Sequence, residues 1–235
     1  MNLHSFPAGF KAIVVGATGG IGSAIADHLD RSPDCGKVIR LSRTAPIPID
    51  VTDEASIISF AERTAKSGDK IHLIFDATGA LTIGDKGREK SHGAIEPLNR
   101  ARAFATNAIG PALILKHRSP LRPRTGKCAF ATLSARVGSI EDNRLGGWYA
   151  YRASKAALNQ IVKTASYEIA RKRPEAVCLA LHPGTVATRL SEKHANGTYT
   201  HSPKQAAQKL LGVIDVLDAN ETGGFFDYDG RSIPW

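Results

Sequence analysis

The chain has 235 residues, 42% of them hydrophobic, and a formal net charge of +9 at pH 7. This length supports one sizeable core, and no apolar run approaches the roughly 20 residues that a membrane-spanning helix needs. Its basic residues are scattered and accompany no nucleic-acid motif, so we expect a solvated surface or a phosphate-bearing small ligand and no nucleic acid. Three isolated cysteines (Cys35, Cys128 and Cys178) and the absence of a signal-peptide pattern predict reduced thiols and a cytoplasmic location.

The first predicted strand, at 11–15, runs into a glycine-rich turn at 16–22 and then into an amphipathic helix. The turn contains Gly16, Thr18, Gly20, Ile21 and Gly22, with the spacing Gly-x-x-x-Gly-x-Gly. Between a strand and a helix, such glycines let the backbone approach a pyrophosphate at the helix N-terminus. The sequence therefore predicts a dinucleotide site here.

The second predicted strand, at 37–41, runs into Ser42 and Arg43. In Rossmann-type folds an acid at this strand end binds the ribose 2′-hydroxyl, whereas an arginine accommodates a 2′-phosphate. This strand end has no acid, and Arg43 is in place to face the phosphate. The sequence thus favours NADP(H) over NAD(H), the alternative being a solvent-facing arginine.

The segment after Arg43 is too short for a helical crossover, which takes a dozen or more residues. Pro46 and Pro48 suit an edge strand. We therefore expect an abbreviated third strand at the sheet edge, ending at Asp50 and Val51. An inward-facing helix capped at 52–53 should follow.

A fourth strand is expected at 71–75, followed by a polar segment at 76–79, a loop over 81–93 and a long helix over about 98–117. That helix contains Gly110-Pro111, a pair that should kink it or loosen its hydrogen-bond ladder. Asn107 lies just before this irregularity. His72 and His92 have no partner at metal-ligand spacing, so no metal site is expected.

Further strands are expected at 128–133, 177–181 and 224–227, with a polar flap over 191–201 and a last helix over 203–217. Strands that alternate with helices predict a single α/β domain, a doubly wound parallel sheet of the Rossmann type in three layers. Its cofactor half should span about 10–130 and its catalytic half about 131–235. Because ligands bind at the carboxyl ends of such strands, every motif named here is placed to line one site.

A tyrosine and a lysine four residues apart, Tyr151 and Lys155, begin the helix that follows the fifth strand. Residues at this spacing share a helix face, and a nearby ammonium favours the phenolate of a tyrosine whose ordinary pKa is about 10. Tyr149 has Ala153 at the same offset, which makes Tyr151 the better candidate acid or base. Tyrosine–lysine pairs at this spacing are also common on helix surfaces, so the remaining motifs must decide whether this pair is catalytic.

Together these motifs resemble the short-chain dehydrogenase/reductase family, from residue 11 to the C-terminus. The order is specific: the glycine turn at 16–22, Asp50-Val51, Asn107, a serine-bearing strand end, then Tyr151-x-x-x-Lys155 and Pro183-Gly184. The segments 134–159 and 225–235 are most similar to the C-factor-like branch.

The resemblance implies roles for the matching residues. Tyr151 would protonate the carbonyl oxygen or deprotonate the alcohol, Lys155 would lower the tyrosine pKa and bind the nicotinamide ribose, and Asn107 would hold a water in a proton relay. Asp50 and Val51 would meet the adenine. The remaining cofactor contacts would come from Ala77, Thr78, Gly79, Pro183, Gly184, Val186 and Thr188.

Two departures from the family pattern stand out. Its serine usually lies three residues before the glycine at 138, where this chain has Ala135. Ser134 is the candidate replacement, although neighbouring strand residues point to opposite sides, and Ser139 is an alternative. The segment 76–79 reads Asp-Ala-Thr-Gly where the family more often has Asn-Asn-Ala-Gly, which we expect to affect support of the central strand more than chemistry.

The family likeness implies an NADP(H)-dependent oxidoreductase that acts on a small carbonyl or alcohol substrate. The alternative is a C-factor-like signalling or NADP(H)-sensing protein with weak or no turnover. It is suggested by the C-factor likeness and by Ala135, which stands where the family usually has its serine. A homodimer or homotetramer is expected, built on the helices of Asn107 and Tyr151, with Leu158, Ile161 and Ile169 on their outer faces.

Overall fold

The computed structural model describes residues 3–81, 87–118, 123, 125–192 and 197–235, without the side chain of residue 118. Its strands are β1 Phe10–Val15, β2 Cys35–Leu41, β3 Leu73–Asp76, β4 Cys128–Leu133, β5 Ala176–His182 and β6 Phe225–Asp227. They form one six-stranded parallel sheet in the order β2-β1-β3-β4-β5-β6. The strand order reverses between β1 and β3, which is where a doubly wound sheet opens a crevice for ligands.

Seven α-helical segments accompany the strands in the described part of the chain. They are α1 Gly20–Asp30, α2 Glu54–Lys66, α3 Pro97–Phe104, α4 Gly110–Arg118, α5 Tyr149–Ala170, α6 Arg189–Glu192 and α7 Pro203–Val216. Two of them begin at side-chain caps: Asp53 accepts a hydrogen bond from the backbone at the start of α2, and Ser202 forms a capping box with Gln205 at α7.

Two apolar clusters cover the two faces of the sheet. One contains α1 and α7 residues such as Leu29 and Leu210 packed with Val14 of β1. The other contains residues of α2, α4 and α5, with Ile13 and Val15 of the same strand. Because consecutive strand residues point to opposite faces, β1 contributes to both clusters. The predicted three-layer Rossmann-type architecture is confirmed.

The predicted edge strand before Asp50 is wrong. The segment contributes one isolated bridge, between Ser42 and Pro48, and one backbone hydrogen bond, from Ile49 to Ser42 at 3.0 Å. Proline lacks the N–H that a strand ladder requires, so Pro46 and Pro48 prevent further pairing. The strand β2 is therefore the edge of the sheet.

The predicted irregularity of the long helix takes the form of a π-helical segment, Ala105–Ile109, between α3 and α4. The Gly110 N–H donates to the carbonyl of Ala105, five residues earlier, and Pro111 has no N–H to contribute. Asn107 lies inside this segment and is completely buried.

The two segments that were expected to be irregular contain short helices. The predicted flap begins inside α6, and His201 at its far end forms a bridge with Val186; residues 193–196 lie outside the described residues. The predicted loop at 81–93 ends in the 3₁₀ turn His92–Ala94, and residues 82–86 of that prediction likewise lie outside the described residues.

The apolar side chains that were expected on the outer face of α5 pack inward. Leu158 and Ile169 are buried in the cluster with α2 and α4, and Ile161 is partly buried against it. This prediction was wrong because the apolar stripe of α5 covers the sheet. Exposed large apolar side chains near Asn107 and Tyr151 include Leu98 on α3, 59% exposed, Ile109 on the π-helical segment, 50% exposed, and Tyr167 on α5, 60% exposed.

Over the described residues, no helix combines the length and apolar character needed to cross a membrane. The same residues contain no group of three or more potential metal-binding side chains. The three cysteines are free thiols.

Candidate active site

Two adjoining cavities of about 680 and 740 Å³ lie at the carboxyl ends of β1, β3 and β4. They share Thr18 and Gly19 of the glycine turn and the segment Ala77–Gly79 that follows β3. The first cavity is lined by Tyr151 and Lys155, and the second extends past the end of β2. Together they form the ligand crevice that the strand order predicts.

The glycine turn is shaped for close approach of a ligand to the backbone. Gly16 has a φ of +79°, which favours glycine, and a Cβ at Gly22 would overlap the Gly16 carbonyl oxygen. A Cβ at Gly20 would lie 2.6 Å from Cγ2 of Thr188. Helix α1 begins with no capping side chain and no acidic residue in its first turn. These free backbone N–H groups fit the pyrophosphate of a dinucleotide.

The second cavity carries cationic side chains at its rim. Arg43 and Arg102 are both exposed and line it together with the buried Ser42. The Asp50 carboxylate accepts hydrogen bonds from the backbone N–H (2.9 Å) and the hydroxyl (2.7 Å) of Thr52. These bonds, with the charge of Arg43, lower the pKa of Asp50. The arrangement fits an adenosine that carries a phosphate.

Tyr151 and Lys155 lie one turn apart in the first turns of α5. The side chain of Lys155 is 2% exposed, and its Nζ donates to the Leu133 carbonyl at 2.7 Å. Its Nζ is 5.9 Å from the centre of the Tyr151 ring. A Cβ at Gly79 would lie 3.4 Å from this Nζ and 3.5 Å from Oδ1 of Asn107, so a glycine keeps the space between them open.

Burial dominates the titration of both side chains. It raises the pKa of Tyr151 to about 12, because a buried phenolate loses its hydration. It lowers the pKa of Lys155 to about 8, an effect that the charge of Asp76 opposes. The expected lowering of the tyrosine pKa by Lys155 is therefore wrong for these residues alone: the ammonium bonds to a backbone carbonyl, and desolvation of the phenol prevails.

Asn107 joins three parts of the site. Its Oδ1 accepts from the Ala80 N–H at 2.8 Å, and its Nδ2 donates to the Ala80 carbonyl at 2.9 Å and to the Ser154 hydroxyl at 3.1 Å. The side chain thus ties the π-helical segment to the chain after β3 and to α5. Its expected role in a water-mediated relay stays a prediction.

Ser134 lines the first cavity, but its hydroxyl donates to Oδ1 of Asn159 at 2.6 Å. A hydroxyl has one proton, so in this arrangement none is left for a substrate oxygen. Ala135 occupies the family position and is buried. The alternative, Ser139, is buried and bonds to the backbone carbonyl of Trp235 at 3.2 Å, away from the cavity residues.

Asp76 and Asn159 were missed as parts of the site. Asp76, at the end of β3, is completely buried and accepts from Thr78 on one oxygen and from the Thr132 hydroxyl on the other. Burial raises the pKa of its carboxyl, opposed by these hydrogen bonds and by Lys155. A carboxylate that ends an otherwise apolar strand was the available signal for Asp76, while nothing in the spacing pointed to Asn159.

Most residues predicted to contact the cofactor line the two cavities. Those of the first cavity are Thr18, Gly20, Ile21, Gly22, Ala77, Thr78, Gly79, Lys155, Pro183 and Thr188. Those of the second that are not shared with it are Gly16, Ser42, Arg43, Asp50 and Val51. Gly184 and Val186 lie behind the lining: Gly184, with a φ of +77°, packs against Tyr228, and Val186 is buried.

Comparisons with known proteins agree with this geometry. The model of a family described as Enoyl-(Acyl carrier protein) reductase matches residues 17–219. The chain is 30% identical over 232 residues to a 1-hydroxy-2-glutathionyl-2-methyl-3-butene dehydrogenase of Rhodococcus sp. (strain AD45), covering 95% of this chain and 98% of that protein. It is 37% identical over 144 residues to the C-signal protein of Myxococcus xanthus, covering 61% of this chain and 82% of that protein.

Solved structures share the fold at lower sequence identity. The NADPH-bound carbonyl reductase from chicken fatty liver superposes with a TM-score of 0.84 at 23% identity, covering 99% of this chain and 97% of that one. The carbonyl reductase Sniffer of D. melanogaster superposes with a TM-score of 0.83 at 22% identity, covering 97% of this chain and all of that one.

Proposed function

The chain belongs to the short-chain dehydrogenase/reductase family, and within it we propose an NADP(H)-dependent enzyme that interconverts a carbonyl and an alcohol, with Tyr151 as the general acid or base. One observation carries the proposal: Tyr151 and Lys155 line the same cavity as the glycine turn at the start of α1. When bound there, the nicotinamide group supplies or accepts the hydride.

The titration of Tyr151 suits the reductive direction. With a pKa of about 12, the phenol keeps its proton at neutral pH and can donate it to a carbonyl oxygen as negative charge develops there. In the oxidative direction the phenol must already be ionised to accept the alcohol proton, and burial keeps the population of that phenolate small at neutral pH.

Lys155 would supply the positive charge of the site. Its Nζ is fixed by Leu133 and lies beside Gly79 and Asn107, where the ammonium can also bind a ribose hydroxyl. Asp76 offsets part of the cost of burying this charge. Asn107 would act as a positioning residue, since it fixes both Ala80 and Ser154 next to the pair.

The preference for NADP(H) would come from the second cavity. Ser42 and Arg43 line it at the end of β2, with no acidic side chain among the residues of the strand. A guanidinium matches a phosphate in charge and in its planar donor pattern, whereas a ribose hydroxyl gains little from it.

The cofactor part of the proposal is tested by fluorescence titration of the protein with NADPH and with NADH. We expect NADPH to bind more tightly. Arg43→Ala should weaken NADPH binding about 10- to 100-fold, the value of a charge-assisted hydrogen bond, and leave NADH binding unchanged. Lys37→Ala, which removes a cation on β2 outside both cavities, is the matched control. Tighter binding of NADH by the unmodified protein would overturn the assignment.

The catalytic part is tested by NADPH turnover on a panel of aldehydes, ketones and diketones. Tyr151→Phe should lower kcat by about 10²–10⁴ with little change in NADPH affinity. Tyr149→Phe, two residues earlier on the same helix, should retain activity. Unchanged activity in Tyr151→Phe would contradict the proposal. Tight NADPH binding with no turnover of any compound on the panel would favour a cofactor-sensing protein.

A further inference from the structure

We propose that Arg88 and Trp148 form a subsite for a carboxylate on the carbonyl substrate, next to Tyr151. The inference rests on the proposed function and adds a substrate class to it, namely anionic carbonyl compounds. Neither residue was singled out by the sequence motifs.

The guanidinium of Arg88 is held on the face of an indole. Its Cζ lies 3.9 Å from the centre of the Trp148 ring, a cation–π contact that fixes the plane of the donors. The Trp148 ring centre is 6.3 Å from that of Tyr151. The guanidinium therefore lies no more than about 10 Å from the centre of the Tyr151 ring. Arg88 and Trp148 lie beyond the residues that line the first cavity, so the subsite would extend that cavity past Tyr151.

This cation has no counter-ion among the described residues. The Nη1 atom of Arg88 is buried without a hydrogen-bond partner, and no carboxylate of the described chain lies within ion-pair distance of the group. Burial also lowers the pKa of Arg88 below its ordinary value, a sign that its charge is partly desolvated. Because a buried, unpaired donor is costly, a ligand that supplies an acceptor gains from it.

The backbone of Trp148 supports the same interpretation. With a φ of +55°, Trp148 is the one non-glycine residue of the described chain in the left-handed region, which is unfavourable for a bulky side chain. Strain of this kind persists where surrounding contacts impose it, and it clusters at binding sites. In this conformation the indole contacts the Arg88 guanidinium and lies 6.3 Å from the Tyr151 ring, at the start of α5.

Glu89 holds the two parts of the subsite together. Its backbone carbonyl accepts from the Trp148 N–H at 2.6 Å, and its carboxylate accepts from the Ala150 N–H at 3.1 Å. The carboxylate of Glu89 thus caps the N-terminus of α5, where its negative charge is stabilised, and forms no ion pair with Arg88. The donor and the platform are therefore in place before a ligand arrives.

The test compares two substrates of matched shape, 4-carboxybenzaldehyde and its neutral counterpart 4-formylbenzamide. We expect kcat/KM to favour the carboxylate about 10- to 100-fold, as for a charge-assisted hydrogen bond. Arg88→Met should reduce this ratio to near one. Lys90→Met removes an exposed cation from the same segment and should keep the ratio. No preference in the unmodified enzyme, or an equal loss with both substrates in Arg88→Met, would overturn the proposal.

A binding measurement separates the subsite from the catalytic proposal. In a Trp235→Phe background the remaining tryptophan is Trp148, whose fluorescence can be titrated with benzoate and with benzamide. Saturable quenching by benzoate alone, lost in Arg88→Met, supports the subsite even when no carbonyl is turned over. Turnover of both aldehydes without benzoate quenching would retain the proposed function and overturn the subsite.

Discussion

The single proton of the Ser134 hydroxyl is committed to Asn159 at 2.6 Å, while Ala135 occupies the place where the family usually has its serine. If no hydroxyl serves the substrate oxygen, the enzyme works with Tyr151 as its main donor. Whether the Ser134 hydroxyl donates to Asn159 or to the substrate therefore decides whether the substrate oxygen has one hydrogen-bond donor or two.

We predict that Ser134→Ala lowers kcat less than tenfold, because a donor that touches the reacting oxygen is worth about 10²–10³. The same change should lower the free energy of unfolding by about 1–3 kcal/mol, since Asn159 loses its partner in a buried position. Steady-state kinetics and urea unfolding measure the two effects. A loss of 10² or more in kcat would place the Ser134 hydroxyl at the substrate. Ala135→Ser is the complementary variant and should raise kcat.

The titration of Lys155 predicts an alkaline limit for the enzyme. Its pKa of about 8 means that the ammonium is lost as the pH rises through 8, well before the phenol of Tyr151 ionises. We expect kcat/KM for NADPH, which reports the enzyme before it binds the cofactor, to fall above about pH 8. Asp76→Asn removes a charge that raises the Lys155 pKa, so in this variant kcat/KM should begin to fall at a lower pH. If the fall begins at the same pH in Asp76→Asn, a group other than Lys155 causes it.

Among individual residues, the sequence could predict those site residues that lie close to one another along the chain. Tyr151 and Lys155 share a helix face at an offset of four, and the glycine turn lies within seven consecutive positions. Asn159 and Arg88 could not be predicted, because their contacts join segments that are distant in the chain. The tyrosine pKa was predicted in the wrong direction because burial, which outweighs the neighbouring charge, cannot be judged from spacing.

Among the elements, the π-helical segment is the junction of the site. Asn107 links it to the chain after β3 and to α5 through three hydrogen bonds, all to groups that are buried or partly buried. A segment that is wound more loosely than an α-helix brings the side chain between its two neighbours. The positions of both catalytic candidates therefore depend on it.

We predict that Asn107→Ala lowers both stability and kcat, because the polar groups of Ala80 lose their partners. About 1–3 kcal/mol is expected for each group left unpaired. Ser154→Ala removes only one of the three bonds and should have a smaller effect. Thermal unfolding and single-turnover kinetics compare the variants, and equal effects of the two substitutions would contradict this role.

The elements themselves were predictable where the hydrophobic pattern was uninterrupted. The fifth predicted strand coincides with β4 at 128–133, and the Gly110-Pro111 pair marked the irregular helix. The edge strand was expected because the segment is too short for a helical crossover and its prolines suit a sheet edge, but the same prolines lack the donors that pairing needs. The inward packing of Leu158 could not be distinguished from an outer face without knowing which side of α5 meets the sheet.

For the whole molecule, association through the helices of Asn107 and Tyr151 stays a prediction, now with different residues. Leu98, Ile109 and Tyr167 replace Leu158, Ile161 and Ile169 as exposed apolar side chains of these helical segments. Light scattering should give two or four times the chain mass of 25.1 kDa. Tyr167→Glu should reduce this mass, whereas Val216→Glu, at an exposed position of α7, should not. A monomeric unmodified protein would contradict the prediction.

The sheet ends at β2, and this has a consequence for how the protein behaves at high concentration. An edge strand offers unpaired N–H and C=O groups to other chains, a common route to aggregation. Beyond the Ser42–Pro48 bridge, no described strand pairs with that side of β2. Lys37 and Arg40 lie on the strand and form ion pairs with acidic neighbours, so an added strand would have to displace or bury these charges. The charges on β2 therefore discourage templated growth of the sheet at the edge that the missing third strand leaves open.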